Sequence, residues 1–395
     1  MALIAADDRH VERSLLKIVE FAEKAGSEFS NDLTLKCTEG NLSVEAPRES
    51  VGKMLVRIPW DCLAPLPPFR LSVKDDQILI SSFEEGVTNE CIALMESLLE
   101  LFNITQKIAR HRQNSPWRLI ASHPTLLDRV MQGRANVDFT FLQQLIASGD
   151  EDELMLHSFL NSRILGYKVS ARAPHYPVLM PVVDLFNHHF RGALYEMEDD
   201  PAKQRSVAIA RSIPLPGTGN ECFACYGAHD SFDTWMTYGF VDKTAQFVCS
   251  IAMTIDLQNL DGIRVTNIAK PRGRRNLPLS VADLHFYVPA VLAKREKHVE
   301  VGRILIPGPA APKALRRTLG FLISEIQPTH PKQRDLVMNA EEQIIAANRA
   351  YYRDLIEFAQ TLQAQPILRS LLSEFLQVCE LQLTRLDDYG TFVKG

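Results

Sequence analysis

The feature that most constrains this chain is an apolar run that stops abruptly on hydrogen-bonding side chains: Met180-Pro-Val-Val-Asp184-Leu-Phe-Asn187-His188-His189. An apolar run of that kind belongs in an interior, and a polar group at its end must find partners or define a site. Asp184, Asn187 and His188 carry that demand here. Downstream, Cys222-Phe-Ala-Cys-Tyr226-Gly227 and Thr237-Tyr238-Gly239-Phe240-Val241 each present a Tyr-Gly pair. Taken singly, Asp184 and Asn187 fit a turn or helix cap, and a Tyr-Gly at a strand end fits packing.

The rest of the chain divides by period. Between about His10 and Ala25, Val11, Leu15, Leu16, Ile18, Val19 and Phe21 recur at helical spacing, with Gly26 as a stop. Leu33–Cys37, Leu42–Glu45 and Met54–Ile58 alternate instead and read as short strands. Leu71–Val73 and Gln77–Ser81 predict a hairpin turning on Asp75-Asp76. From about Asn89 to Leu165 the period is helical again. Strands return at Ala193–Glu196, Ser206–Ala210, Cys222–Tyr226 and Phe247–Thr254, with a helix over Ser231–Tyr238 before the last. Beyond the basic loop Lys270–Arg275, helices are expected at Val281–Lys297, Pro312–Ile326, Arg334–Gln363 and Ile367–Leu386. The expected fold class is α+β, with several short strands, a helical insert and an all-α C-terminal domain. Its parts are residues 1–88, the insert 89–160, a strand-rich core 161–270 and a helical domain 276–395, divided near residue 275.

Composition excludes several function classes. A formal net charge of -5 over 395 residues gives no electrostatic footprint for nucleic acid. No apolar run reaches the roughly 18 residues needed to span a bilayer. The start, Met1–His10, meets acids at once and does not read as a secretory signal. Seven scattered cysteines make no disulfide framework, so a cytoplasmic protein is expected. Cys222-x-x-Cys225 lacks a second cysteine pair at ligand spacing, and adjacent His188-His189 seldom aim at one ion, so no metal is expected. Gly217-Thr-Gly-Asn220 reads as a turn with no helix behind it to hold phosphate.

The middle of the chain resembles a SET-domain protein methyltransferase, of the subfamily typified by Rubisco large-subunit lysine methyltransferase and the actin-histidine methyltransferase. The matching motifs are Ser162-Arg163, Asp184-Leu-Phe-Asn187-His188, Leu194-Tyr195-Glu-Met197, Tyr226-Gly227 and Tyr238-Gly239-Phe240. Their order and spacing agree from Ser162 to Val241, and no single one would suffice. Glu39-Gly40-Asn41-Leu42, followed by Leu55-Val-Arg-Ile-Pro59, matches the family's first motif with Leu42 in place of its second glycine. His189 stands where the family commonly has Ser or Thr.

The resemblance implies a SET-like β fold with a helical insert and a helical domain that docks substrate. It implies S-adenosylmethionine as cofactor, held by Gly40, Arg163, Asp184, Asn187 and His188, with Arg163 and Asp184 supplying charge-assisted bonds. Tyr226 would be the essential tyrosine, and Tyr195 and Tyr238 channel walls. The activity implied is methylation of a protein substrate on lysine, with histidine as second acceptor, and neither nucleic acid nor membrane as partner. A SET-like protein-binding module without catalysis, suggested by Leu42, and a small-molecule or peptide methyltransferase stay open as alternatives.

Overall fold

Asp8 opens the first helix because its carboxylate accepts the amide of His10 at 2.6 Å, satisfying one of the helix's free N–H groups. The computed structural model describes residues 2–134, 137–167, 176–198, 205–257, 262–269, 277–279, 281–294, 298–326, 332–363 and 365–394. The basic loop at 270–275 and the expected boundary beside it lie outside these. The chain divides into two units, one formed by Met1–Asn114 with Asp150–Gly227, the other by Ser115–Gly149 with Ala228–Gly395.

In the first unit the helix Arg9–Lys24 buries Val11, Leu15, Ile18, Val19 and Ala22 on one face. That is the periodicity expected of an amphipathic helix. The strands Thr34–Thr38 and Asn41–Glu45 form a hairpin, with Leu3–Ala6 parallel to its first strand. Its core face holds two cross-strand pairs, Leu35 with Val44 and Cys37 with Leu42, all four side chains buried. Met54–Pro59 lies inside a four-stranded sheet between Glu28–Phe29 and Ser206–Ala210, with Glu196–Glu198 at the far edge. Phe69–Lys74 and Gln77–Phe83 pair as the expected hairpin, and the turn places Asp75 and Asp76 at φ 50° and 55°. Short acidic side chains tolerate that left-handed region better than most. Three helices complete the unit: Asn89–Ile104, Lys107–Asn114 and Glu151–Asn161, the first and last capped by Thr88 and Asp150.

The second unit combines the helices Pro116–Ser122, Pro124–Arg134 and Val137–Ser148 with everything after Ala228. The helix Ser231–Tyr238 forms over the residues expected of it. Its buried Phe232 and Trp235 meet Phe375 at ring-centroid distances of 6.2 and 5.5 Å, and Phe232 meets Tyr352 at 5.8 Å. The C-terminal region is helical from Ala314 onward, in Ala314–Ile326, Gln333–Thr361 and Arg369–Lys394. The helix expected over Val281–Lys297 does not form. A 3-10 turn at Ala282–Leu284 is followed by the strand Val291–Lys294, which pairs antiparallel with His298–Val301 in a four-stranded sheet. Pro289 explains the failure, since a proline inside a helix removes a hydrogen bond and clashes with the preceding turn. No helix among the described residues is long and apolar enough to cross a membrane.

Candidate functional site

The run Met180–His189 enters from the strand Tyr176–Leu179, which pairs with Ala64–Pro65 and Leu165–Tyr167. It then reverses in a γ-turn: the Val183 amide donates to the Pro181 carbonyl at 2.6 Å, across Val182 at φ 62° and ψ −45°. A β-branched residue in that region is strained by about 1–3 kcal/mol. Val182 and Val183 are 1% and 0% exposed, so packing holds the turn in place. The short 3-10 turn Val183–Leu185 that follows carries Asp184.

Arg163 reaches Asp184 from the end of the helix Glu151–Asn161, its Nη1 donating to Asp184 Oδ2 at 2.7 Å. The guanidinium also lies over the rings of Phe102 and Phe159, at 5.0 and 4.8 Å. Its Nε is buried and has no hydrogen-bond partner among the described residues. Burial pushes the Asp184 carboxyl up from its ordinary value, more than Arg163 and Lys107 together pull it down.

Beyond Asp184 the strand Asn187–Ala193 pairs in parallel with Phe223–Ala224, Asn187 opposite Phe223 and His188 opposite Ala224. This pairing brings the Asn-His pair beside Tyr226. The Tyr226 amide donates to His188 Nδ1 at 3.2 Å, and the Tyr226 hydroxyl donates to the Phe186 carbonyl at 2.6 Å. The ring of His188 lies 4.9 Å from that of Tyr226, and the ring of Tyr195 lies 6.5 Å from it, within 15° of parallel. Asn187 Nδ2 donates to Glu221 Oε1 at 2.8 Å and to the Leu42 carbonyl at 3.3 Å. Leu42 meets Asn187 only through its backbone, in the strand Asn41–Glu45, while its side chain fills the hairpin core beside Cys37. No glycine is required at such a position.

Gly40 forms the hairpin tip with Glu39, at φ 72° and 51°. A Cβ on Gly40 would lie 2.7 Å from Arg110 Nη2 and 3.3 Å from the Thr105 carbonyl. Arg110 clamps the tip, donating to Asn41 Oδ1 at 2.8 Å and to the Glu39 carbonyl at 2.5 Å. Gly40 thus serves both the turn and the close approach of that guanidinium. Tyr238 belongs to the second unit. It ends the helix Ser231–Tyr238 just before Gly239, which takes the left-handed C-cap at φ 75°, and its ring contacts those of His229 and Phe240 at 5.8 Å each.

Four participants carry no signal in the motifs. Gly192 lets a second pass of backbone approach, because a Cβ there would meet Ala224 backbone atoms at 2.6 and 2.8 Å. Glu221 anchors Asn187. Arg110 and Lys107 come from the helix Lys107–Asn114, where basic residues read from sequence as a solvated face. In the second unit, Asp230, Asp233 and Cys249 lie close enough to share a metal ion, but the acids are already engaged. Asp230 is paired with Arg134 at 2.6 Å, caps the helix through the Phe232 and Asp233 amides, and accepts from the Cys249 amide. Asp233 is paired with Arg303 at 2.5 Å and with Arg134 at 3.4 Å. This is a fixed frame for the helix that ends in Tyr238, its carboxylates saturated by cations.

No protein-family model and no curated protein matches the chain. Among solved structures it is similar to the SET domain of LSMT bound to lysine and AdoHcy. The TM-score is 0.38 with 12% sequence identity, over 97% of this chain and 91% of that one. It is similar also to Rubisco LSMT bound to sinefungin and monomethyllysine, at a TM-score of 0.37 and 11% identity, over 96% and 92% of the two chains.

Proposed function

We propose that this chain is an S-adenosylmethionine-dependent protein N-methyltransferase with a SET-like core, acting on a lysine side chain, with histidine the alternative acceptor. The reading rests on one observation above all. Arg163, Asp184, Asn187, His188, Tyr195 and Tyr226, spread over more than sixty residues of sequence, converge within one unit around the segment Phe186–His188.

The residues fit the methyl donor. Arg163 Nε is a buried donor without a partner among the described residues, and Asn187 is exposed with its amide held at fixed points. Arg163, Asp184, Asn187 and His188 would hold the group, with the Gly40 hairpin beside them. When bound, S-adenosylmethionine supplies a methyl group on a sulfonium, which needs only a neutral nucleophile in line with the breaking bond.

The chain's own task is orientation and exclusion of water. Tyr226 has committed its only proton to Phe186, so its oxygen faces any further partner as an acceptor. An incoming amine can donate an N–H to that oxygen while keeping its lone pair for the methyl group. His188 accepts at Nδ1, so a neutral ring carries its proton on Nε2. The helical region from Ala314 on is assigned the docking of the protein substrate.

Calorimetric titration with S-adenosylhomocysteine tests the reading. Saturable binding is expected well below about 1 mM, and no heat of binding at that concentration would sink it. Mass spectrometry of methylated protein substrates then separates lysine from histidine as acceptor.

A further inference from the structure

Lys107, near the hairpin, has no direct partner for its charge among the described residues. It starts the helix Lys107–Asn114, is half-buried, and makes no hydrogen bond or ion pair among the described residues. One helical turn later Arg110 clamps the Glu39–Asn41 tip, and across from it Arg163 pairs with Asp184. The Lys107 ammonium is repelled by Arg163 and Arg110 and drawn by Asp184, the carboxylate that Arg163 already pairs. His111, on the same helix, adds no charge, because burial and the nearby Arg163 and Arg112 hold its pKa down to about 3. Taking unpaired charge out of water is costly. A half-buried ammonium without a partner is therefore an observation that asks for an anion, and Arg163 Nε is a second donor with the same deficit. Arg110 already directs two of its N–H groups to the hairpin, whereas neither the Lys107 ammonium nor Arg163 Nε has a partner among the described residues.

We propose that Lys107 and Arg163 form a carboxylate-binding subsite, and that Lys107 holds the α-carboxylate on the amino-acid portion of the methyl donor. This rests on the methyltransferase reading and extends it to a residue outside the family-like motifs. It also assigns the Lys107–Asn114 helix a role at the site beyond packing, through its first residue.

The test compares two ligands on three proteins by calorimetry: S-adenosylhomocysteine, and its decarboxylated analogue that keeps the amine. The proteins are the wild type, Lys107→Met and Lys107→Arg, with melting curves matched to exclude misfolding. Lys107→Met is expected to weaken S-adenosylhomocysteine about tenfold while moving the decarboxylated analogue less than about twofold. Lys107→Arg, which keeps the charge, is expected to stay within about threefold of wild type for both. Equal weakening of both ligands in Lys107→Met would make the residue structural and overturn the assignment. So would unchanged binding of S-adenosylhomocysteine by that variant. Failure of the wild type to bind S-adenosylhomocysteine would overturn the methyltransferase reading and this subsite with it, an outcome distinct from the other two.

Discussion

Tyr226 donates its hydroxyl to the carbonyl of Phe186 at 2.6 Å, two residues before the His188 ring that accepts the Tyr226 amide. The tyrosine is thus pinned at both ends to the same short segment. Its backbone is fixed by one bond and its oxygen by the other, so removing the oxygen alone should leave the ring in place.

Tyr226→Phe is accordingly expected to keep S-adenosylhomocysteine affinity within about threefold while turnover falls about 100-fold or more, as when one positioned polar group is deleted from a reacting centre. Single-turnover methylation of a protein substrate beside calorimetry checks it. Turnover equal to wild type would remove Tyr226 from the mechanism. The stability loss should be about 1 kcal/mol, since one hydrogen bond to a carbonyl is lost.

Val182 and Val183 offer a comparison of two buried valines, one strained and one not. Replacing either by glycine removes a packed side chain and loosens the unfolded chain, at about 3–4 kcal/mol. At Val182 the same change also relieves a backbone that glycine adopts freely, which returns about 1–2 kcal/mol. Val182→Gly should therefore be less destabilising than Val183→Gly by that margin in urea unfolding. Equal losses would mean the γ-turn stores no strain. The position of the turn matters, because Asp184 follows it by two residues and inherits its direction.

How much of this was legible in the sequence varies with the kind of signal. Elements with a strong local cause came through: the Asp75-Asp76 hairpin between its two short strands, and the helix expected over Ser231–Tyr238, which the structure closes with an Asp230 cap and a Gly239 stop. Val281–Lys297 misled because its apolar residues satisfy a helical count, whereas Pro289 and the pairing of Val291–Lys294 with the next strand, His298–Val301, decide the outcome. The motif grouped Arg163, Asp184, Asn187, His188 and Tyr226 across long separations, but the bonds they make to one another, Arg163 to Asp184 and the Tyr226 amide to His188, carry no signal in the sequence. Val182 and Lys107 could not be read. A valine in an apolar run gives no sign of its φ, and a lysine at a helix start looks solvated until the fold sets Arg110, Arg163 and Asp184 around it.

That setting makes a pH prediction for the ligand-free protein. Burial, then Arg163 and Arg110, pull the Lys107 ammonium from its ordinary 10.5 down to about 8, against the opposing pull of Asp184 and Cys37. Below about pH 8 both folded and unfolded chains carry the proton, and the fold bears the full cost of the crowded charge. Between about pH 8 and 10.5 the unfolded chain still holds the proton and the folded chain has released it. Stability from this group therefore rises with pH across that window. Lys107→Met removes the cost at every pH, so it should be more stable than wild type near about pH 7, and the gap should shrink toward about pH 10. Urea unfolding of both proteins at the two pH values measures the gap. A difference that does not change with pH would mean that Lys107 is not held in this cationic cluster. A wild type more stable than the variant near neutral pH would mean that it already has a counter-charge.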